Sequence, residues 1–439
     1  MLKFLGFFFF MFMFDYWLII NFLIILILLF AMSSMNIFMY NNMMENMGLD
    51  ILSFNLIFLS LWICVMMILI SFNIYFTNNF YWVFMFNMIM LMISLFMSFV
   101  SVDFFFFFFF FEVSILPVLM IIIGWGVQPE RMQAGIYLVF YTFFVSLPLL
   151  MSIFYLNQYL YSMNFYYFIN LDNFILYLFL IMAFLVKMPM FFVHLWLPKA
   201  HVEGSVASSM ILAGVMLKLG GYGLMRVFKL IELISLKFNI IWVIISLVGG
   251  LLVSVMCLHL MDLKLLIAYS SVVHMSLVIS GIMTLNFWGY MGSLVLMIGH
   301  GLCSSGLFVL ISYVYDRLGS RSMMINKGMI NLMPNLTFWW FLLLSSNMAA
   351  PPSLNLLGEI SLFISIISWS KLMILVLFML SFFSACYSIY LFVFSQHGAV
   401  LKGVYYFKSI NLREYIILFM HWVPLNILIL KVNLILAWF

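Results

Sequence analysis

Six ionisable residues lie inside long apolar runs: Glu112, Lys187, Lys218, His274, His300 and Glu359. Together they form a row of acids and bases, and such a row on different helices, linked by water, can pass protons. Histidine titrates near neutral pH and is the natural relay member. A Glu112–Lys187 pair reads as a bistable switch. Closed, it holds the lysine's proton; open, it releases the proton onward. A charge in mid-bilayer costs several kcal/mol unless it is paired or hydrated, so each of these groups needs a reason to be there.

Their positions follow from helix geometry. Glu112 lies nine residues beyond Asp103, a helix start, after a run of eight phenylalanines at 104–111. That places it about 13 Å into a hydrocarbon core of roughly 30 Å. Lys187 comes fifteen residues after Asp172 and just before Pro189. Lys218 lies in Leu217-Lys218-Leu219-Gly220-Gly221-Tyr222-Gly223, whose glycines let helices approach. It sits two turns before Arg226, which is read as marking the far membrane surface. His274 follows Tyr269-Ser270-Ser271, and His300 precedes Ser304 and Ser305, so both are mid-span among hydroxyls. Plainer readings exist for the same residues: lysines that snorkel to the interface, packed polar histidines, or a Glu359 favoured by a helix dipole. Asp262 with Lys264, Glu130 with Arg131 and Asp316 with Arg317 read as membrane-edge pairs with structural or gating roles.

Two breaks in the apolar pattern hold these groups. The first runs from Lys187-Met188-Pro189 through His194, Pro198 and His201 to Glu203. The second runs from Asn347 through Pro351-Pro352 and Asn355 to Glu359. Proline removes a backbone donor and breaks a helix. Broken backbone at membrane depth is tolerated only where it is buried in protein or lines a watery cavity. The breaks stand about 165 residues apart, which suggests two repeated halves, and paired broken helices point to an ion site.

The rest of the chain sets the frame. Of 439 residues, 68% are hydrophobic and only 7% charged, against about 25% charged in soluble domains. The bilayer is therefore the solvent for the whole chain. Apolar spans fall near 2–14, 16–35, 50–73, 82–101, 103–124, 134–156, 172–195, 204–229, 238–258, 263–284, 287–313, 331–349, 354–369, 371–395 and 414–436. Some are half-spans, so about fourteen helices are expected. The strongest polar interruptions are 127–133, 199–203, 316–327, 396–408 and 413–414. The first apolar run lacks a cleavage site and reads as a retained span. The expected fold class is an all-α polytopic membrane protein.

The net charge of +4 is scattered and gives no face for nucleic acid. Cys64, Cys257, Cys303 and Cys386 form no C-x-x-C pair, so no iron–sulfur, zinc or redox motif is seen, and no phosphate loop follows a strand pattern. The seven histidines form no matched pairs on two spans, as haem ligation would need. A standalone cation/proton antiporter and a purely structural membrane subunit remain as alternatives. The 53 Phe and 40 Met fit lipid-facing positions, and an AT-rich gene in an animal mitochondrial code.

These residues resemble the chain 4 family of mitochondrial NADH–ubiquinone oxidoreductase. The resemblance rests on Gln128-Pro129-Glu130-Arg131, Leu185-Val186-Lys187-Met188-Pro189-Met190, the run from His194 to Glu203, and the Lys218 glycine motif. It rests further on Asp262-Leu263-Lys264, Ile267-Ala268-Tyr269-Ser270-Ser271, His300-Gly301-Leu302-Cys303-Ser304-Ser305, Ala350-Pro351-Pro352, Leu354-Asn355-Leu356-Leu357-Gly358-Glu359 and Ser395-Gln396-His397-Gly398. It covers most of the chain from about residue 50, and the Phe/Met richness is insect-like. The resemblance implies an antiporter-like fold with two inverted five-helix repeats, and one proton channel of respiratory complex I in the mitochondrial inner membrane. It implies N-terminal helices over 1–80, repeats over 81–230 and 238–395, and a C-terminal loop and final helix over 396–439. By motif position, Glu112 and Lys187 are the switch pair, Lys218 the central relay residue and Glu359 the terminal acid, with His300 between them. No cofactor is expected in this chain: NADH, FMN, iron–sulfur clusters and ubiquinone belong to other subunits. Partners are the other complex I subunits, including neighbouring antiporter-like ones, and lipids such as cardiolipin. Two stretches depart from the family pattern. Gly204-Ser205-Val206-Ala207-Ser208-Ser209 lacks the proline of the usual A-P-V-x-G-S, and His259-Leu260 stand where Arg-Gln is common.

Overall fold

In hydrocarbon a backbone can satisfy itself only as helix or closed barrel. The computed structural model is helical almost throughout. It describes residues 2–33, 46–400 and 409–436. Residues 34–35 of the expected span 16–35 and 401–408 of the expected polar break 396–408 lie outside these limits. Among the described residues no strand forms, and only isolated bridges tie loops together. Ten helices are long and apolar enough to cross a membrane, accompanied by the shorter apolar helices Lys3–Met13, Tyr16–Met32, Phe174–Lys187 and Leu354–Trp369. The chain is thus an all-α multi-pass membrane protein.

Two expected spans are interrupted, each for a local reason. The span 103–124 bends between Phe104–Val113 and Ile115–Trp125. Pro117 cannot donate to the carbonyl four residues back, at Val113. The span 172–195 ends early, because the helix Phe174–Lys187 stops at its lysine. Pro189 disfavours helical backbone at Met188, which sits at φ −87°, ψ 94°. Helix resumes only at Trp196–Glu203. The second break follows Pro334–Asn347: Ala349 turns to φ 59°, and Ser353 caps Leu354–Trp369 by accepting from the Leu356 amide. At the departure after Glu203, Ser205 caps the next helix in the same way, accepting from Ser208.

The helices sort by what surrounds them. The apolar windows of Val206–Leu230 and Phe287–Leu318 are wholly buried in protein, whereas only a third of those of Arg131–Leu160 and Met373–Gln396 is. Serines inside the largely buried helix Leu263–Met283 satisfy themselves. Ser270, Ser271, Ser276 and Ser280 each donate to a carbonyl three residues back, so none needs solvent.

The chain forms two compact units. The first is Met1–Met188 with Glu203–Phe238 and Asn433–Phe439; the second is Pro189–Val202 with Asn239–Val432. In the first, a Cβ at Gly223 would run into the Phe184 ring, so Val206–Leu230 packs directly on the helix that ends in Lys187. In the second, Gly358 lies against the Leu296 backbone, which brings Leu354–Trp369 onto Phe287–Leu318. The last long helix, Leu412–Leu430, is anchored to this unit by an Arg317–Glu414 ion pair of 2.5 Å.

Gly358→Val should overpack this contact and cost about 1–3 kcal/mol. Thermal unfolding of the detergent-solubilised protein should show a lowered midpoint; an unchanged midpoint would mean the two helices are not in backbone contact.

Candidate functional site

The six sequence-selected residues fall three to each unit: Glu112, Lys187 and Lys218 in the first, His274, His300 and Glu359 in the second. In the first unit the broken ends of helices meet. Lys187 terminates Phe174–Lys187 and is buried. Its Nζ donates to the Phe111 carbonyl at 2.9 Å and lies 2.9 Å from the centroid of the Phe111 ring. Phe111 precedes the bend at Ser114, so both its carbonyl and its ring are turned toward the lysine. Glu112 is the next residue. Its two carboxylate oxygens are buried and accept no protein hydrogen bond. Glu112 and Lys187 act on each other electrostatically, yet among the described residues they form no direct ion pair. The two groups are juxtaposed without touching.

Lys218 follows a π-helical turn, Leu212–Met216. Its Nζ donates to the Ala213 carbonyl, five residues back. A π-turn shifts carbonyls out of the regular ladder and often marks a functional site; here it supplies an acceptor for a wholly buried ammonium.

Arg226 lies in the last turn of Leu217–Val227, at the end of its span; it is buried in protein there, and it pairs with Asp50 at 2.5 Å. Asp50 begins the helix Ile51–Ile70, and its other oxygen accepts from the Tyr166 hydroxyl at 2.6 Å. Sequence inspection missed this cluster because its members come from three distant segments. The one local signal was the i, i+4, i+8 spacing of Lys218, Tyr222 and Arg226 on one helix face.

In the second unit, His274 is the centre. Its Nδ1 lies 3.6 Å from Glu359 Oε1, its Nε2 lies 3.4 Å from the Tyr387 hydroxyl, and its ring centroid lies 5.4 Å from that of His300. His274 therefore makes the contact with Glu359, and His300 stands behind it. Glu359 is in the second turn of Leu354–Trp369, just past the second break. Asn355, one turn earlier, donates to the Ser346 carbonyl at 2.8 Å and ties the two sides of that break together. Tyr387 and Asn355 were not selected from sequence. Neither carries charge; Asn355 is a helix neighbour of Glu359, and only the fold brings Tyr387 here.

The edge pairs resolve differently. Arg317 bonds Glu414 rather than Asp316, and Arg131 donates to the Gly126 carbonyl at 2.9 Å. The first-break histidines are packed on rings, His194 on Phe191 and His201 on Phe308. Among the described residues no group of three His, Cys, Asp or Glu could hold a metal ion.

Known proteins share this sequence and this fold. Residues 101–384 match the family described as NADH:quinone oxidoreductase/Mrp antiporter, TM, and residues 1–98 match NADH-ubiquinone oxidoreductase chain 4, amino terminus. The chain is 56% identical to NADH-ubiquinone oxidoreductase chain 4 of Ceratitis capitata, over 96% of this chain and 95% of that one. It is 54% identical to the Aedes aegypti chain 4, over the same shares. Its fold matches a chain of respiratory complex I from Thermus thermophilus with a TM-score of 0.85 at 19% identity, covering 95% of this chain and 92% of that chain. It also matches a chain of the Mrp complex from Dietzia sp. with a TM-score of 0.83 at 14% identity, covering 95% and 90%. With both family profiles tiling residues 1–98 and 101–384 and near-full-length relatives above half identity, the chain belongs to the NADH-ubiquinone oxidoreductase chain 4 family.

Proposed function

We propose that this chain is a core membrane subunit of respiratory complex I in the mitochondrial inner membrane, and that it moves protons through buried Glu, Lys and His side chains. The observation that carries the reading is the enclosure of six ionisable groups at helix breaks and mid-span positions, each beside a group that can exchange or steer a proton. As part of proton-translocating NADH:ubiquinone reductase it contributes transport. NADH, FMN, iron–sulfur clusters and ubiquinone are assigned to other subunits. Neighbouring antiporter-like subunits and lipids such as cardiolipin cover the apolar outer helices.

Each triad has a chemical division of labour. With Glu112 and Lys187 open, the ammonium rests on the Phe111 carbonyl and ring. Closing the pair moves it onto the carboxylate. Lys218 is the next carrier along that unit, with the π-turn carbonyl as its resting acceptor. In the second unit a proton passes between His300 and His274 and then to Glu359, the terminal acid. With the ring proton on His274 Nδ1, toward Glu359, the Tyr387 hydroxyl 3.4 Å from Nε2 is the donor that matches this tautomer.

Two antiporter-like repeats, over 81–230 and 238–395, are supported by a local motif that recurs. In the first unit Asp103 bridges to Asn164, and the Phe104 amide donates to the Met163 carbonyl. In the second, Asp262 bridges to Ser322, and the Leu263 amide donates to the Arg321 carbonyl. Each aspartate begins a span, and each bridge closes a similar length of chain. A count of about fourteen crossings rests on adding shorter apolar helices to the ten long ones.

The assembly is tested by a native gel of mildly solubilised inner membranes, stained for NADH oxidation, with this chain located by mass spectrometry. It should occur only in a very large NADH-oxidising band; a smaller band without redox activity would favour an independent antiporter. In the assembled enzyme in vesicles, Lys187→Met should lower proton transport about 100-fold through this channel, and unchanged transport would remove Lys187 from the path. Tyr387→Phe deletes one hydroxyl and should slow the same transport about fivefold, the worth of a hydrogen bond of ~1 kcal/mol. A wild-type rate would show that His274 needs no such partner.

A further inference from the structure

The buried Asp50–Arg226–Tyr166 cluster has no part in the proposed relay, yet it lies on the Lys218 helix. Lys218, Tyr222 and Arg226 follow at four-residue intervals, so Arg226 stands about 12 Å along the helix from Lys218. Aromatic rings fill that stretch. Tyr222 packs on Phe99 and Phe107 with centroids 5.3 and 5.5 Å away, and Phe107 packs on Phe165 at 6.0 Å. The guanidinium carbon lies 5.0 Å from the Tyr222 ring and 6.0 Å from the Phe165 ring. Asp50 and Arg226 side chains are 6% and 5% exposed. The loops that carry the cluster are laced by backbone bonds: Gly48 to Val100, Val102 to Asn46, Phe104 to Met163 and Phe165 to Val102.

The chemistry of the cluster is opposite to that of a relay. Arginine does not release its proton in proteins. One Asp50 oxygen is taken by Arg226 and the other by the Tyr166 hydroxyl, so its carboxylate presents no oxygen that is free of both. Tyr166 lies in the loop after Arg131–Leu160, and burial raises its phenol above the ordinary range, so it stays a donor. Neither the arginine nor the tyrosine both takes up and gives away a proton at neutral pH.

We infer that Asp50, Arg226 and Tyr166 form a dry seal that closes one end of the Lys218 helix to protons, so that the relay in this unit exchanges with water elsewhere. The inference rests on the reading of Lys218 as a proton carrier. A seal and a merely structural ion pair differ in what happens when the pair is broken: only the seal controls passive leak.

The test uses the complete NADH-oxidising complex in sealed vesicles without NADH, following the decay of an imposed pH gradient. Asp50→Asn should accelerate the decay at least about fivefold, and Tyr166→Phe, which removes one oxygen and leaves the charges in place, about twofold. Adding Lys218→Met to Asp50→Asn should return the decay to the wild-type rate, because the leak runs through that lysine. Wild-type decay in Tyr166→Phe and Asp50→Asn enzymes that assemble would overturn the seal; if Asp50→Asn does not assemble, Tyr166→Phe alone decides. A leak that survives Lys218→Met would overturn it as well. Failure of the relay reading has its own signature, since Lys218→Met alone would then leave NADH-driven proton transport intact.

Discussion

Hydrocarbon offers no partner to a charge or to an unpaired backbone amide, so both must be enclosed by protein. The arrangement of this chain follows from that cost. The apolar windows of the helices that bear Lys218 and His300 are wholly buried, while that of Arg131–Leu160, which carries none of the six groups, is only one-third buried. The breaks at Met188 and Ala349 occur beside Lys187 and Glu359 because freed backbone groups and ionisable side chains need the same dry, partnered interior. Glycines at 223 and 358 then permit helices to close around the charges, where any larger residue would hold them apart.

Much of this was legible in the sequence, because the rules of the bilayer are severe. An apolar run of about twenty residues has one structural outcome, and a Lys or Glu inside it is conspicuous. The prolines at 189 and 351 announced both breaks, and the chain 4 motifs announced the family. Pro117 was equally visible, but a bend one turn past Glu112 does not interrupt hydropathy, so 103–124 read as one helix. Arg226 was legible as a span end, but its partner was not. Arginine near a span end usually meets water, and only an acid from a distant segment encloses it instead; Asp50 sits more than 170 residues away, ahead of an apolar run. Tyr387 and Asn355 carry no charge, so hydropathy could not separate them from other residues of their spans.

The internal serines show how a helix can be both apolar outside and polar within. Each serine hydroxyl in Leu263–Met283 bonds its own backbone, which satisfies the donor at little cost and leaves lone pairs on the helix that carries His274. Such a surface supports transient hydrogen bonding without holding a fixed charge. Phe184 and Phe107 play the opposite part beside Lys187, packing with the Phe111 ring, which meets the ammonium directly. The two triads are therefore set in different media, one aromatic and one hydroxylic. That difference matches their contents: lysines, which a ring face can hold as cations, and histidines, whose two nitrogens need directional partners.

The proposed relay and the proposed seal differ in their contacts. In the relay, Glu112 has no protein donor on either oxygen, and the His274 contacts at 3.4 and 3.6 Å are long. In the seal, arginine stands against aspartate at 2.5 Å and a tyrosine joins at 2.6 Å. Loose contacts between groups of similar proton affinity allow transfer at small energetic cost. Tight contacts between groups whose affinities lie far apart do not. Because the proposed carrier Lys218 and the proposed seal residue Arg226 share one helix, residue type is what separates their roles: a buried lysine can release its proton, and an arginine does not.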